Sequence, residues 1–507
     1  MSPKPESHSS SVRPVIGKDV LELLSTAMYV DPLTIYREYV QNATDAIDAA
    51  CATGLLERGE GHIDISIDAS TRTIKIRDNG VGISADRFRA ILTAIGASTK
   101  RGTGARGFRG VGRLSGLAYA RELKFRSSAE GEAIAHSITW DCRALRSVLR
   151  DFDDTRELAD IVGAITVDDH EADIDPVDHF FEVTLTGVPR IGDDRLLSEA
   201  AVANYLAQVA PLPFAPTFSL SRDVDDRIAQ HVSLNRLNIS INGGEPLFRP
   251  FENEIPVEGG RPLTLREAQL VEVPSVDGGI AAIAWVAHHD YEGAIHPLTR
   301  VRGLRARVGD IQVGETSVFE DIFPETRFNA WTVGEVHILD PRIIPNGRRD
   351  DFERNVHLAN LKNHLAPLGR EVAMKCRSSS RDRKRLRDFD LARESALQNI
   401  AIIKQGSLAP NACEQVALTV DLTLLKMEKL AGPAISDPNS GRERAVIDQL
   451  RQRLNEVTDV KDGTSPLDRM PKERRVLYEE MFALIYDCSV NRSVAKALID
   501  RILLKIA

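Results

Sequence analysis

Glu38, Asn42 and Asp45 stand at i, i+4 and i+7 in the run Tyr36-Arg37-Glu38-Tyr39-Val40-Gln41-Asn42-Ala43-Thr44-Asp45-Ala46. A helix of 3.6 residues per turn stacks these three polar side chains on one face. Ile35, Tyr39 and Ile47 share that face only in part, so the stripe points to an environment of its own, although a solvated helix face with a capping carboxylate has the same pattern. Further on, Asp78-Asn79-Gly80-Val81-Gly82 ends a strand-like run. Glycine allows a sharp turn and close backbone approach, so this segment can present one carboxylate beside a flat ligand. A carboxylate only accepts hydrogen bonds, which suits the exocyclic amine of adenine. An ordinary Asp-Asn-Gly turn is the plain alternative. The third group is Ile95-Gly96-Ala97-Ser98-Thr99-Lys100, leading to Gly107-Phe108-Arg109-Gly110-Val111-Gly112-Arg113-Leu114. Glycines ahead of a helical run (Leu114 to Ala120) let successive backbone N–H groups point at phosphate oxygens, aided by the helix N-terminal dipole. No GK[ST] follows them and no strand directly precedes them, so this is neither a Walker loop nor a dinucleotide fingerprint; a mobile surface loop is the alternative.

The elements that must position these residues are legible in the periodicity. A helix runs from about Pro32 to beyond Ala50, with Pro32 tolerated in its first turn. Ile63, Ile65 and Ile67 alternate with polar residues, as do Ile74 and Ile76 after the link Ala69 to Arg72, which is a hairpin signature. Strand-like segments follow near Leu123 to Arg126 and Phe181 to Leu185. Val20 to Leu24 begins an earlier helical pattern. Leu237 to Ile241 and Ile280 to Val286 read as strands of a second α/β or α+β domain. Beyond 375 the pattern is helical, over 414 to 430, 442 to 457, 472 to 487 and 491 to 505, broken by Gly432-Pro433, Asp437-Pro438 and Gly463 to Pro466. The expected organisation is a tail over 1–14, a first domain over 15–195, a middle domain over 205–372 and a helical region over 373–507.

At 507 residues the chain is too long for one hydrophobic core. Its 65 basic and 74 acidic residues give a charge of -9, so no overall positive field draws it to nucleic acid or anionic membrane. Five scattered cysteines without a CxxC pair encode neither a zinc site nor a disulfide framework, and fit a reduced cytoplasm. No signal-peptide or membrane-spanning run is expected. His288-His289-Asp290 lies in an extended segment, where neighbours point to opposite faces and do not converge on a metal. The basic run Lys375, Arg377, Arg381, Arg383, Lys384, Arg385 and Arg387 reads as a solvated helix or linker, with sequence-independent nucleic-acid contact as its alternative.

Taken in order, the three groups resemble the GHKL ATPase superfamily: the helix its ExxxNxxDA motif, the strand end its DxGxG, the glycine stretch its lid. Within it the chain is most similar to the heat-shock protein 90 chaperones over roughly its first 190 residues, with Asn42-Ala43-Thr44-Asp45-Ala46, Ser98-Thr99-Lys100 and Gly107 to Gly112 carrying the likeness. A weaker likeness lies in Pro345-Asn346-Gly347-Arg348-Arg349-Asp350, which resembles the segment bearing those chaperones' catalytic arginine. The resemblance implies an α+β fold, a Bergerat-type α/β sandwich followed by an S5-like transducer domain and a helical C-terminal dimerisation region. It implies ATP and Mg²⁺ as ligands and ATP hydrolysis as the reaction. Glu38 would be the base or water orienter and Asn42 would help hold Mg²⁺. Arg349, with Arg348 as the open alternative, would stabilise charge on the γ-phosphate. The nucleotide would be held by Asn42, Asp45, Ala46, Asp78, Gly80, Gly82, Ser98, Thr99, Lys100, Gly107, Gly110, Val111, Gly112 and Thr184. The function expected from this is a cytoplasmic, homodimeric, chaperone-like clamp in protein folding or stress response. The rivals are a DNA-associated clamp of the MutL or MORC kind, the ATPase of a bacterial defence system, and a binding-only relative, against which Glu38 argues.

Overall fold

A computed structural model of the chain describes residues 31–96, 112–151, 153–172, 175–231, 236–256, 262–431, 440–459 and 466–506. The first helical pattern, at Val20 to Leu24, lies outside them. The chain divides into two compact units, Met1–Cys376 and Arg377–Ala507.

In the first unit, helix α1 (Thr34–Thr53) starts where Asp31 Oδ1 accepts from the Leu33 N–H at 3.0 Å, and ends at Gly54, whose left-handed backbone (φ 77°) returns its N–H to the Ala50 and Cys51 carbonyls. Strands β1 (His62–Asp68) and β2 (Thr73–Asp78) pair antiparallel with Ile65 opposite Ile76, and every second side chain is buried. The Asp68 carboxylate accepts from the Ser70 and Thr71 N–H groups and closes the turn. Helix α2 (Ala85–Thr93) comes next, then a 3-10 segment (Gly112–Ala118), β3 (Glu122–Ser128) and β4 (Ile134–Asp141). Helix α3 (Cys142–Arg150), α4 (Leu158–Ile165), β5 (Thr166–Ala172), β6 (Phe180–Thr186), α5 (Glu199–Val209) and α6 (Ser221–Ala229) follow.

The seven strands run β5-β4-β3-β6-β2-β1-β7, with β7 spanning Asn238–Ile241. One face of this sheet packs Ile65, Ile76, Phe125, Trp140 and Val183 against α1 and the other helices. The opposite face is polar, with Glu182 between Lys75, at 3.9 Å, and Arg77, at 3.8 Å. This is the two-layer α/β sandwich of an α+β fold. Two details correct the sequence reading. Leu237 to Ile241 does not join the second sheet: Asn238–Ile241 pairs parallel with β1 and closes the edge of the first. Leu114 to Ala120 is not the body of an α-helix. The Tyr39 hydroxyl takes the Gly116 N–H and donates to the Arg113 carbonyl, both at 3.1 Å, diverting two groups an α-helical ladder would use.

The second sheet comprises β8 (Glu267–Pro274), β9 (Ile280–His288), β10 (Gly303–Val308), β11 (Ile311–Val313) and β12 (Val333–Ile338), in the order β8-β9-β12-β10-β11. Both faces of β9 are covered: Ala282, Ala284 and Val286 lie in one apolar cluster, Ile283, Trp285 and Ala287 in another, which explains its unbroken apolar sequence. A buried ionic network ties this sheet to the chain leaving α5. Arg249 pairs with Glu335 at 2.7 Å and with Asp310, and Arg307 also pairs with Glu335. The same arginines donate to the Leu212 carbonyl (2.8 Å) and the Gln208 carbonyl (2.7 Å).

Helix α7 (Val356–Lys404) contains the division between units. Its first part packs Leu358, Leu361, Leu365, Leu368 and Val372 into the first unit. In the second unit, Phe389, Ala396 and Ile403 pack with residues of α8 (Pro410–Leu430) and α9 (Ser440–Thr458), while Ile402 joins a separate core with α10 (Lys472–Cys488) and α11 (Arg492–Ile506). The basic run is helical, and Arg385 within it is structural: it donates to the Leu430 carbonyl at 2.7 Å and to Glu443 at 2.8 Å. No helix among the described residues is long and apolar enough to cross a membrane.

Candidate active site

The polar stripe of α1 is not a solvated face. Glu38 is only 4% exposed and Asn42 and Asp45 are half-buried, while Ile35, Tyr39 and Ile47 anchor the helix in the core. Two further ties fix its N-terminal half. The Tyr36 hydroxyl, kept protonated by burial, donates to the Leu196 carbonyl at 2.6 Å. Tyr39 holds the 3-10 segment as described above. That segment therefore begins against the helix: a Cβ built on Gly112 would lie under 3.0 Å from Glu38 Oε2 and 3.4 Å from its Cδ. Only glycine leaves the carboxylate where it is.

Eight residues, or about 12 Å, along the same helix, Ala46 meets the turn after β2. Val81 N–H donates to the Ala46 carbonyl at 3.3 Å, and a Cβ on Gly80 would lie 2.6 Å from Ala46 Cβ. Asp78 is 4% exposed at the end of β2, and its Oδ1 accepts from the Gly80 N–H at 2.9 Å. His179 meets the Gly80 carbonyl at 2.8 Å. Gly82 has φ 65°, and a Cβ there would clash with the Ser128 carbonyl. Asn79, by contrast, is used for the fold: it bridges the His62 N–H and the Glu60 carbonyl.

A third contribution comes from the loop after β12. Arg349 adopts a left-handed backbone (φ 58°) that a non-glycine residue holds only under constraint. The constraint is visible: its N–H donates to the Asn346 carbonyl at 3.1 Å, its carbonyl accepts from Gly314 N–H at 2.9 Å, and Asn346 Nδ2 donates to Asp350 at 2.6 Å. The guanidinium so placed is half-buried, with Nε 3.8 Å from Glu38 Oε1. Arg348 is exposed; its carbonyl instead accepts from Arg37 Nη2 at 3.3 Å, and Arg37 lies 3.5 Å from Glu38 Oε1. Of the two arginines, Arg349 is the one brought to the carboxylate.

Several buried polar atoms of α1 and of the 3-10 segment have no hydrogen-bond partner among the described residues: Glu38 Oε1, both amide atoms of Gln41, Arg113 Nε and Ser115 Oγ. Burial also lowers the affinity of the Arg113 guanidinium for its proton. Unsatisfied buried groups are costly, and Glu38 Oε1, beside Arg37 and Arg349 but hydrogen-bonded to neither, is open to a polar ligand atom or water.

Thr184 is not brought to this site. It pairs with Lys75 and Lys124 on the polar outer face, whereas Asp78, in phase with Ile74 and Ile76, belongs to the packed face. The residue opposite Asp78 is Phe181, whose ring lies 5.9 Å from that of Phe125. Ser98, Thr99, Lys100, Gly107, Gly110 and Val111 lie outside the described residues. Arg37, Gln41 and Phe181 were not singled out from the sequence. Strand alternation could have found Phe181; nothing local distinguishes Arg37 or Gln41.

A family described as histidine kinase-, DNA gyrase B-, and HSP90-like ATPase matches residues 34–155, the segment that contains Glu38, Asp78 and Gly112. Residues 34–155 are thus similar to the ATPase domains of the GHKL superfamily. The chain is similar to the "Chaperone protein HtpG" of Mycolicibacterium vanbaalenii, 31% identical over 94 residues, which is 17% of this chain and 14% of that protein. It is 25% identical over 209 residues to that of Enterobacter sp., covering 38% of this chain and 30% of the relative, and 28% identical over 142 residues to that of Escherichia coli O1:K1, covering 24% and 23%. The alignments thus span less than a third of these relatives' own length. The first sheet continues beyond the matched segment through β5, β6 and β7, and Arg349 reaches Glu38 from outside it.

Proposed function

We propose that the chain binds and hydrolyses ATP and works as a conformational clamp of the heat-shock protein 90 kind. The observation that carries this is the placing of Glu38, buried and with a carboxylate oxygen unsatisfied, between Gly112 and Arg349. The base of ATP would lie at Asp78, whose carboxylate accepts from the exocyclic amine, and its phosphates toward Gly112. The spacing along α1 suits the two ends of one nucleotide. Glu38 orients a water toward the γ-phosphorus and takes its proton as the new P–O bond forms and the bond to ADP breaks. Arg349 offers positive charge to the γ-phosphate oxygens, so turnover requires the loop at 345–350 to be seated. Phosphoryl transfer needs little else from a protein.

Among the described residues no group of three His, Cys, Asp or Glu side chains could cage a metal. Asn42, half-buried one turn from Glu38, fits an ion that keeps several waters and takes its remaining oxygens from phosphates. Mg²⁺ held there would neutralise phosphate charge. The five cysteines are free thiols, which supports a cytoplasmic setting. A homodimer joined through the C-terminal helices, closing when ATP binds, completes the reading; its client is a protein whose identity the site does not encode. The test is phosphate release by the purified chain and by Glu38→Ala. The variant should retain ATP and lose about 10²-fold or more of turnover; equal turnover would remove Glu38 from its role.

A further inference from the structure

Helix α3 follows β4, which β3 and β6 separate from the β1–β2 hairpin in the sheet, and it has no part in the proposed reaction. It buries Cys142 and Leu145 and turns Arg143, Arg146, Ser147 and Arg150 outward. The spacing i, i+3, i+4 and i+7 puts all four on one side of the helix, where with Asp151 they line an open concavity of about 470 Å³. The three guanidiniums would be unremarkable if neighbouring carboxylates neutralised them, as Asp194 neutralises Arg72. None of the three pairs with a carboxylate among the described residues. The two acidic side chains nearest in sequence are turned to the backbone: Asp141 caps the helix by accepting from the Arg143 and Ala144 N–H groups, both at 2.9 Å, and Asp151 accepts from Asp153 N–H at 3.0 Å. Arg146 is held in place, donating to the Leu117 carbonyl at 3.2 Å and the Ala120 carbonyl at 3.0 Å. An anchored guanidinium flanked by two that can move inward presents planar donor pairs matched to phosphate oxygens. In a chain whose overall charge is negative, three guanidiniums beside one lining carboxylate, Asp151, give this concavity a net positive charge suited to an anion.

We propose that this concavity is an accessory site for a small phosphate-bearing anion of about pyrophosphate size. The helical rise places Arg143 and Arg150 about 10 Å apart along the axis, and a concavity of this volume suits a small anion better than a polymer. The chemistry is shared by free pyrophosphate and by the diphosphate tail of a nucleotide, and the experiment separates the two.

Calorimetry with inorganic pyrophosphate, in ADP-saturated protein so that the glycine-lined site is filled, should show one equivalent bound. Arg143→Gln/Arg150→Gln should weaken that binding by about tenfold or more, since charge-assisted hydrogen bonds are lost. Ser147→Glu, which puts a carboxylate into the concavity without touching an arginine, should do the same. If ADP itself occupies a second, arginine-dependent site, the nucleotide tail is the ligand; if only pyrophosphate does, the free anion is. The proposal is overturned if wild-type protein shows no arginine-dependent site for either pyrophosphate or ADP, or if both variants bind these ligands as wild type does. It is equally overturned if a DNA duplex binds with the same arginine dependence while pyrophosphate does not.

Discussion

Gly112→Ala separates a positional role from a chemical one. Gly112 has no strained backbone that would make alanine costly, and the atom an added methyl meets is the far end of a flexible side chain, Glu38 Oε2. The fold should therefore persist. To restore ordinary van der Waals contact the carboxylate must retreat by roughly 1 Å, away from the place where it would line up a water. A misplacement of that size costs about 10²-fold in rate when geometry is the catalytic contribution. The assay is steady-state phosphate release together with ATP affinity by calorimetry and thermal melting. The account expects a melting temperature close to wild type, retained ATP, and turnover reduced toward the Glu38→Ala level. Combining the two substitutions should add little, because both act through one carboxylate. Full turnover in Gly112→Ala, beside an inactive Glu38→Ala, would refute the idea that this contact sets the position of the base.

Arg349→Ala should lower turnover by about 10²-fold with ATP still bound. Gly314→Ala should imitate it without touching the arginine, since a Cβ there would collide with the Asp350 carbonyl and unseat the loop; wild-type phosphate release in both would remove the loop from the reaction. Glu335→Gln should destabilise the first unit by about 3–5 kcal/mol in urea unfolding, because it leaves Arg249 and Arg307 buried without their shared anion. The same network makes an acid prediction. Burial alone would raise the Glu335 carboxyl, but Arg249 and Arg307 outweigh it and hold it well below its ordinary value of 4.5; Asp310 is likewise depressed, with burial outweighed by Arg249 and Arg236. Groups depressed in the folded state contribute stability that is complete above their unfolded values and lost as pH falls through the folded ones. Unfolding free energy should thus be steady from neutrality to about pH 5 and fall below it, and Glu335→Gln should flatten that fall; an unchanged acid limb would contradict the assignment.

The parts of this molecule legible in its sequence are those governed by short-range periodicity. The 3.6-residue spacing of Glu38, Asn42 and Asp45 and the strict alternation of Ile63 to Ile76 specify the helix and the hairpin directly. The motif glycines stood out by their spacing, but the contacts that require them, Gly80 against Ala46 and Gly82 against the Ser128 carbonyl, are long-range. What escaped depends on distant partners. Nothing around Leu237 to Ile241 says that it pairs with His62 to Ile65 across more than 170 residues, and nothing at Arg37 announces the Arg348 carbonyl. The misplacing of Thr184 was avoidable. Phe181, Val183 and Leu185 alternate with Glu182 and Thr184, so a count by twos from the apolar face puts the threonine on the outer side.

The central claim, that α1, the Asp78 turn and the glycine segment enclose one adenine nucleotide, is tested most directly by titrating ATP into the wild-type chain and into Asp78→Asn by calorimetry. The account predicts a single site in the wild type, preferring ATP to GTP, and no measurable binding in the variant. Equal affinity in the two proteins, or a wild type that binds no nucleotide, would contradict it.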